Sequence, residues 1–400
     1  MRVWLVACLL WMGALLSTGA QGAAAQDVAA PDVVGDAATE APAATGAVPY
    51  EGPTLAEVEA ILGKVRTPGP GEILIGAYVN DVQHIDLVTH SYPGDIYVWF
   101  RWTDPELDPM ATYEFMNFYD PEAHIESVLY DAPQPMPDGS FYNIIRHQGA
   151  FSAPMPLARY PFDTQEIRFI LEDAEHGAEA VNYIPDPSGF TANSAISLPG
   201  YRVGKPELRI YPKSYPTIFG DLTNPETGAY SRVEFVLPIS RPWQTGIIKL
   251  ILPVVIVLVC AGLALAIQPD YSDARIGLVI TALLTLVALQ ITTGSSLPDV
   301  GYLMLIDQIY ILCYAAILIV LIRVVRGTWR TDADDDVRDS RRDLRLLAAV
   351  SVVFLSALAF MVGSALIQEH REVTARQATT LVADAPPTLP GAARAGQQVP

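Results

Sequence analysis

Cysteine is nearly missing from this 400-residue chain: Cys8, Cys260 and Cys313 are the only three, each inside an apolar run. That spacing excludes a disulfide framework and a cysteine-based zinc cluster. Basic residues are also scarce, 25 Lys and Arg against 44 Asp and Glu, a net charge of −19. A surface this poor in cations cannot neutralise a phosphate backbone, so nucleic acid is not a partner. The chain lacks a phosphate-binding loop, an HExxH pair, a nucleophile elbow and a dinucleotide fingerprint. Neither an enzyme nor a cofactor is expected. Charged residues make up only 17% and hydrophobic ones 51%, too apolar for a disordered or purely soluble chain. What remains is a membrane protein with a large acidic soluble part.

Four textures follow one another along the chain. Residues 1–25, with one Arg, a short apolar stretch and then small residues, read as a signal peptide. Residues 26–71 read as a disordered leader, rich in Ala, Pro, Gly and Asp, ending in a short helix. Leu55, Val58, Ile61, Leu62 and Val65 share one helical face there, with Thr54 and Glu57 as a capping box. Residues 72–241 carry short β-rich runs such as EILIGAYV, GDIYVWFRW, YEFMNFY, SFYNIIRH, EIRFILE and RVEFVLPI, separated by Pro, Gly and Asp turns. They predict an immunoglobulin-like β-sandwich. Residues 242–367 predict a four-helix transmembrane domain with spans at 246–267, 276–293, 302–325 and 344–367. At about 1.5 Å per residue these cross a hydrocarbon core of about 30 Å.

Loop 326–343 and its flanks hold Arg323, Arg326, Arg330, Arg338, Arg341, Arg342 and Arg345, which places that side in the cytoplasm. The signal peptide independently puts the sandwich outside. A tail over 368–400, rich in Ala and Pro, is expected to be disordered on the sandwich side. Between Asp27 and Arg241 stand 31 acidic against 12 basic residues. Around a common axis that charge would concentrate cations at the mouth; on a single chain it is simply a solvated surface.

The second span is not apolar all round. Gly277, Thr281, Leu284, Ala288 and Ile291 recur at steps of four, three, four and three, which sets them on one stripe. It is small and polar at the cytoplasmic end, bulky and apolar at the other. Such a stripe suits a pore wall, with Leu284 and Ile291 as rings that close by dewetting and Asp273 as a carboxylate ring at the inner mouth. Ordinary helix packing also uses small residues and threonine.

YPFDTQ (Tyr160–Gln165) resembles the signature loop of the Cys-loop, or pentameric ligand-gated, ion channel superfamily. Ala153 and Ile167 stand where animal members place the loop cysteines, as in bacterial members. SLPDVGYLMLIDQIYILCY (Ser296–Tyr314) looks like the linker between the second and third spans plus the start of the third, and Pro253 matches the proline of the first. The similarity covers residues 72–367 in order. It implies a homopentamer in a bacterial inner membrane, surrounded by lipid, with periplasmic sandwiches and the second span lining a pore for permeant cations. Asp273 is similar to the acidic selectivity ring of cation-conducting members.

By the same resemblance Asp86, Asp163 and Arg241 form a charged cluster where sandwich meets membrane domain. Phe162 belongs to that signature loop, and Pro298–Tyr302 is the piece the cluster pushes. The agonist site implied by the family lies between neighbouring sandwiches. Tyr211 and Tyr230 match its capping loop, Tyr97 the opposing strand, and Glu172 a carboxylate of amine-gated members. Met116 and Ala174 fall where aromatics are expected, so the box is incomplete for an amine agonist. Strand alternation sets Tyr97, Trp99 and Arg101 on one face and Ile96, Val98, Phe100 and Trp102 on the other.

Protons are a rival trigger, since His84, His90, His124, His147 and His176 lie in the sandwich. Each is expected to be solvent-exposed without a role, and Leu286 stands where a proton-gated relative has histidine. Divalent cations are a third modulator, although the metal ligands stay unknown because no spacing names a site. A reading from another class is a membrane-anchored periplasmic ligand sensor that does not conduct.

Overall fold

The computed structural model describes residues 54–217, 228–268, 270–329 and 336–383. The expected signal peptide, the leader up to residue 53 and the tail beyond 383 lie outside the described residues. Helix α1 spans Leu55–Leu62. A two-sheet sandwich follows, with long strands β1 (Glu72–Val82) and β2 (Ser91–Trp102), helix α2 (Pro109–Thr112), and short strands β3 (Tyr113–Phe115), β4 (Ile125–Val128) and β5 (Gln134–Pro135). Then come β6 (Phe141–Ser152), β7 (Thr164–Asp173), β8 (Asn182–Ala192), β9 (Arg202–Val203), β10 (Glu207–Ser214) and β11 (Ala229–Ser240). One sheet runs β4-β6-β2-β1-β8 with β5 beside β6, and the other β10-β11-β7-β3 with β9 beside β11.

In β2 the residues Ile96, Val98, Phe100 and Trp102 are buried, and Tyr97, Trp99 and Arg101 are half-buried on the outer face. This is the alternation a half-buried strand requires. The inner faces meet through Phe100, Phe151, Phe169 and Phe235, all fully buried. Gly94 is obligatory to that packing, because a Cβ there would stand 2.7 Å from the Phe169 ring. The run YEFMNFY forms only a three-residue strand. After it, Asn117 replaces ladder bonds with its own side chain. Its Nδ2 donates to the carbonyls of Ser152 (2.8 Å) and Arg168 (2.7 Å), and its Oδ1 accepts from Ile170 N at 2.9 Å. The chain thereby crosses to the opposite sheet, where Phe118 bridges Phe151.

Among the described residues, four helices are long and apolar enough to cross a membrane. They are α3 (Trp243–Leu263), α4 (Ser272–Gly294), α5 (Leu305–Thr328) and α6 (Asp336–Ala383). A π-helical segment, Ile247–Ile251, sits just ahead of Pro253 in α3, where a missing N–H leaves the ladder free to rewind. Helix α6 corrects one expectation: its backbone is helical through Ala383, whereas a disordered tail is expected from residue 368. No glycine or proline stands between Ile367 and Pro386 to stop it.

The helices share a second core, which Leu157, Tyr160 and Phe162 of the β6–β7 loop enter from the sandwich side. At the opposite end Arg275 of α4 is 3% exposed. Its Nε donates to the Ala264 carbonyl (2.9 Å) and its guanidinium meets Asp343 of α6 (2.6 Å). Asp343 also holds Arg323 of α5 at 2.7 Å, so α4, α5 and α6 are tied at one buried carboxylate.

Candidate functional site

The described unit offers its α4 stripe to the outside. Asp273, Gly277, Thr281, Leu284, Ala288 and Ile291 are all exposed, Leu284 at 64% and Ile291 at 67%. On the opposite side Val279, Ala282 and Leu286 are buried in the helix core, and Arg275 is buried beside Asp343. The polar end is lined by Thr281, whose hydroxyl donates to the Gly277 carbonyl at 2.8 Å. Asp273 lies in the first turn of α4, where the unpaired N–H groups favour a carboxylate.

At the other end of α4 the sandwich grips the linker to α5. Leu157 N donates to the Tyr302 hydroxyl, and Leu305 N to the Ala158 carbonyl, both at 2.9 Å. Phe162 is fully buried, and together with Pro161 it abuts Gly246 of α3, where a Cβ would meet Pro161 Cγ at 3.2 Å. Pro298 and Tyr302 line a cavity of about 420 Å³ beside Gln290, Asp307 and Tyr310. The loop, the start of α3 and the linker therefore form one contact, with room for the linker to shift.

Arg241 closes that contact. Its Nε donates to Asp163 Oδ1 at 3.0 Å, its other nitrogen donates to the Tyr201 hydroxyl, and its guanidinium lies over the Tyr201 and Tyr160 rings at 4.3 and 5.1 Å. Asp163 is 2% exposed and accepts a second bond from Gln165 Nε2 at 2.6 Å. Asp86 is not part of this cluster. It accepts bonds from Val88 N (2.8 Å) and Thr89 N (3.3 Å), an Asx turn that satisfies the carboxylate locally. Its carboxyl is held below the usual range by Thr89 first and Val88 second. Tyr201 fills the third place that the resemblance gives to Asp86.

The agonist-site residues divide between the sheets. Tyr97 sits on β2 of one sheet, under the Arg146 guanidinium at 5.2 Å. Arg146 is itself held by Asp95 (2.6 Å). Glu172 (β7), Tyr211 (β10), Tyr230 (β11) and Met116, which follows β3, belong to the other sheet. The two tyrosines are strand residues flanking 218–227, which lies outside the described residues. Glu172 is 3% exposed, ion-paired with Arg232 and hydrogen-bonded by the Tyr215 hydroxyl at 2.8 Å. The Tyr211 hydroxyl donates to Glu234 (2.5 Å), Tyr230 packs on Tyr215, and Met116 is 40% exposed. One chain therefore does not bring the five together, and each half of the proposed box carries an arginine.

Two clusters escape the linear reading. Arg275 stands two residues past Asp273 at the start of an apolar helix, and the cost of burying that charge signals a partner without naming it. The second is a histidine pair, which corrects the expectation of solvent exposure for His124 and His147. His147 is fully buried, and its Nδ1 lies 2.8 Å from His124 Nε2. Tyr113 and Glu126 face the same rings.

Burial pushes the His147 imidazole down to about 3, with His124 adding to the shift, and burial also lowers His124. An unfolded chain takes up the His147 proton near 6.5, the folded one only near 3. Between those values the unfolded state binds more protons, so stability falls as pH is lowered through that window. The expected slope is up to about 1.4 kcal/mol per pH unit. Denaturant titrations in detergent with a chelator should show it in the wild type and a shallower slope in His147→Gln. Equal slopes would assign the acid sensitivity elsewhere.

No protein-family model matches the chain. It is 24% identical over 272 residues to the glycine receptor subunit beta of Homo sapiens and of Rattus norvegicus, 61% of this chain and 52% of the receptor subunit. It is 27% identical over 248 residues to the neuronal acetylcholine receptor subunit alpha-10 of Homo sapiens, 57% of this chain and 53% of that one. A gamma-aminobutyric acid receptor subunit beta of Lymnaea stagnalis matches at 24% over 187 residues, 46% of this chain and 36% of the other. The chain spans about half the length of the curated relatives it matches. A β-sandwich followed by four membrane-length helices is the fold of pentameric receptor subunits. The chain is a homologue of the Cys-loop, pentameric ligand-gated ion channels, in a form without the loop cysteines.

Proposed function

We propose that the chain is one subunit of a homopentameric, cation-selective channel of a bacterial inner membrane. A small ligand bound between adjacent periplasmic sandwiches opens it, and α4 lines the pore. The observation that carries this reading is the α4 stripe, exposed along its whole length while the opposite face is packed. A helix graded from carboxylate through hydroxyl to bulky apolar side chains is what a selective, gated conduit requires. The signal crosses at Arg241–Asp163 and reaches the α4–α5 linker through Tyr302. Tyr97 of one subunit faces Glu172, Met116, Tyr211 and Tyr230 of its neighbour. An amine on the Tyr97 face competes with Arg146, so the ligand must displace that guanidinium or use it.

Asp273 supplies the charge selection. In reconstituted bilayers under a sodium chloride gradient, Asp273→Ala should lower the cation-to-anion permeability ratio by about fivefold. That is the factor expected for ~1 kcal/mol of lost carboxylate attraction near water. An unchanged reversal potential would remove Asp273 from the selectivity ring.

A further inference from the structure

Three potential metal donors converge at the edge of the β4–β6 pair. Glu126 on β4 lies directly opposite His147 on β6, and His124 ends the turn that leads into β4. Directly paired residues of antiparallel strands project to the same face. The Glu126 carboxylate stands 3.6 Å from both His124 Nε2 and His147 Nδ1, too long for hydrogen bonds. The two ring nitrogens share a hydrogen bond at 2.8 Å; an ion that displaces the shared proton needs them to part by only about 0.5 Å to reach, with the carboxylate, the roughly 3.3 Å edge of a tetrahedron whose centre lies about 2.0–2.1 Å from each donor.

We infer that His124 Nε2, His147 Nδ1 and a Glu126 carboxylate oxygen form a site for a zinc-type divalent transition ion, with a fourth position open to water. Two imidazoles and one carboxylate suit zinc, whereas calcium and magnesium demand more oxygen ligands. The surroundings have the features of a built site. His147 Nε2 lies 2.9 Å from the Tyr113 hydroxyl, which fixes which nitrogen is presented inward. The His147 ring is wedged edge-on against Phe115 at 4.8 Å. The His124 ring occupies the space left by Gly149, where a Cβ would lie 2.6 Å from its Nδ1. Its side chain is 6% exposed, whereas Glu126 is 52% exposed, so an ion has an access route past the carboxylate. Bound metal would pin the edge strand β4 to β6.

The test is a cobalt(II) titration of the purified full chain in detergent, stripped with chelator, followed by visible absorption. The expected result is the intense blue spectrum of tetrahedral cobalt, saturating at one ion per chain and erased by one equivalent of zinc. Glu126→Gln should weaken binding by about tenfold or more, and His124→Gln should abolish the blue species. Glu126 is half exposed, so its substitution leaves the fold intact and decides the question even if the His124 variant fails to fold. A weak pink octahedral spectrum alone, the signature of loose binding to acidic surface, would overturn the site. So would a blue species unchanged by Glu126→Gln. The readout needs no current, so its failure and that of the channel reading are separable.

Discussion

Leu284→Ala is expected to pass membrane current with no ligand added, where the wild type passes little. Leu284 is 64% exposed within its own subunit and sits one step below Ala288 and two below Ile291 on the α4 stripe. Five copies around an axis would make an apolar ring, and such constrictions block ions by shedding water rather than by contact. Removing three carbons from every copy widens the ring and reduces the apolar surface that expels water. Because Leu284 packs little against its own subunit, the substitution should cost no more than about 0.5 kcal/mol of folding stability. The measurement replaces external sodium with a large organic cation. A leak that reverses with the sodium gradient places a cation gate near Leu284. Assembled protein at the membrane that passes no current would favour the non-conducting ligand sensor and leave the stripe as packing.

Arg241→Ala is expected to cripple both stability and gating. Asp163 is 2% exposed, and its partners are Arg241 at 3.0 Å and the Gln165 amide. Truncating the arginine leaves a buried carboxylate short of its counter-charge, which costs about 3–5 kcal/mol. It also strips the cation from the Tyr160 and Tyr201 rings. Thermal melting of the solubilised protein should drop by on the order of 10 °C. The double variant Asp163→Asn, Arg241→Ala should recover part of that loss, since the uncompensated charge is gone. Its currents should stay impaired if the pair transmits the signal. Asp86→Ala provides the contrast: its carboxylate serves its own turn, so the melting point should move by a degree or two at most. An Arg241→Ala protein with unchanged melting and currents would remove the cluster from the coupling argument.

These predictions draw unequally on what was legible in the sequence. The four spans, the β texture and the α4 stripe are readable because hydropathy and periodicity are properties of neighbouring residues. Alternation in IYVWFRW likewise told which face Tyr97 occupies, but not that Arg146 lies over it. Composition predicts disorder beyond residue 367, whereas the absence of glycine or proline up to Pro386 lets α6 run on to Ala383. The YEFMNFY run forms a strand only over Tyr113–Phe115, because the Asn117 side chain diverts the backbone between sheets, and β propensity does not register that.

By itself the sequence determined that this protein spans a membrane, carries an acidic β domain ahead of the spans, and bears one graded helix suited to a pore. Which charges meet was decided only by the tertiary structure. Asp163 finds Arg241 across 78 positions, Arg275 finds Asp343 across 68, and His124 finds His147 across 23. A pattern of faces constrains where a side chain points, whereas its partner depends on strand register, sheet crossovers and helix packing. Asp86 shows the converse: a carboxylate two residues from free backbone amides bonds them first, because a local turn closes with less loss of chain entropy than a distant ion pair.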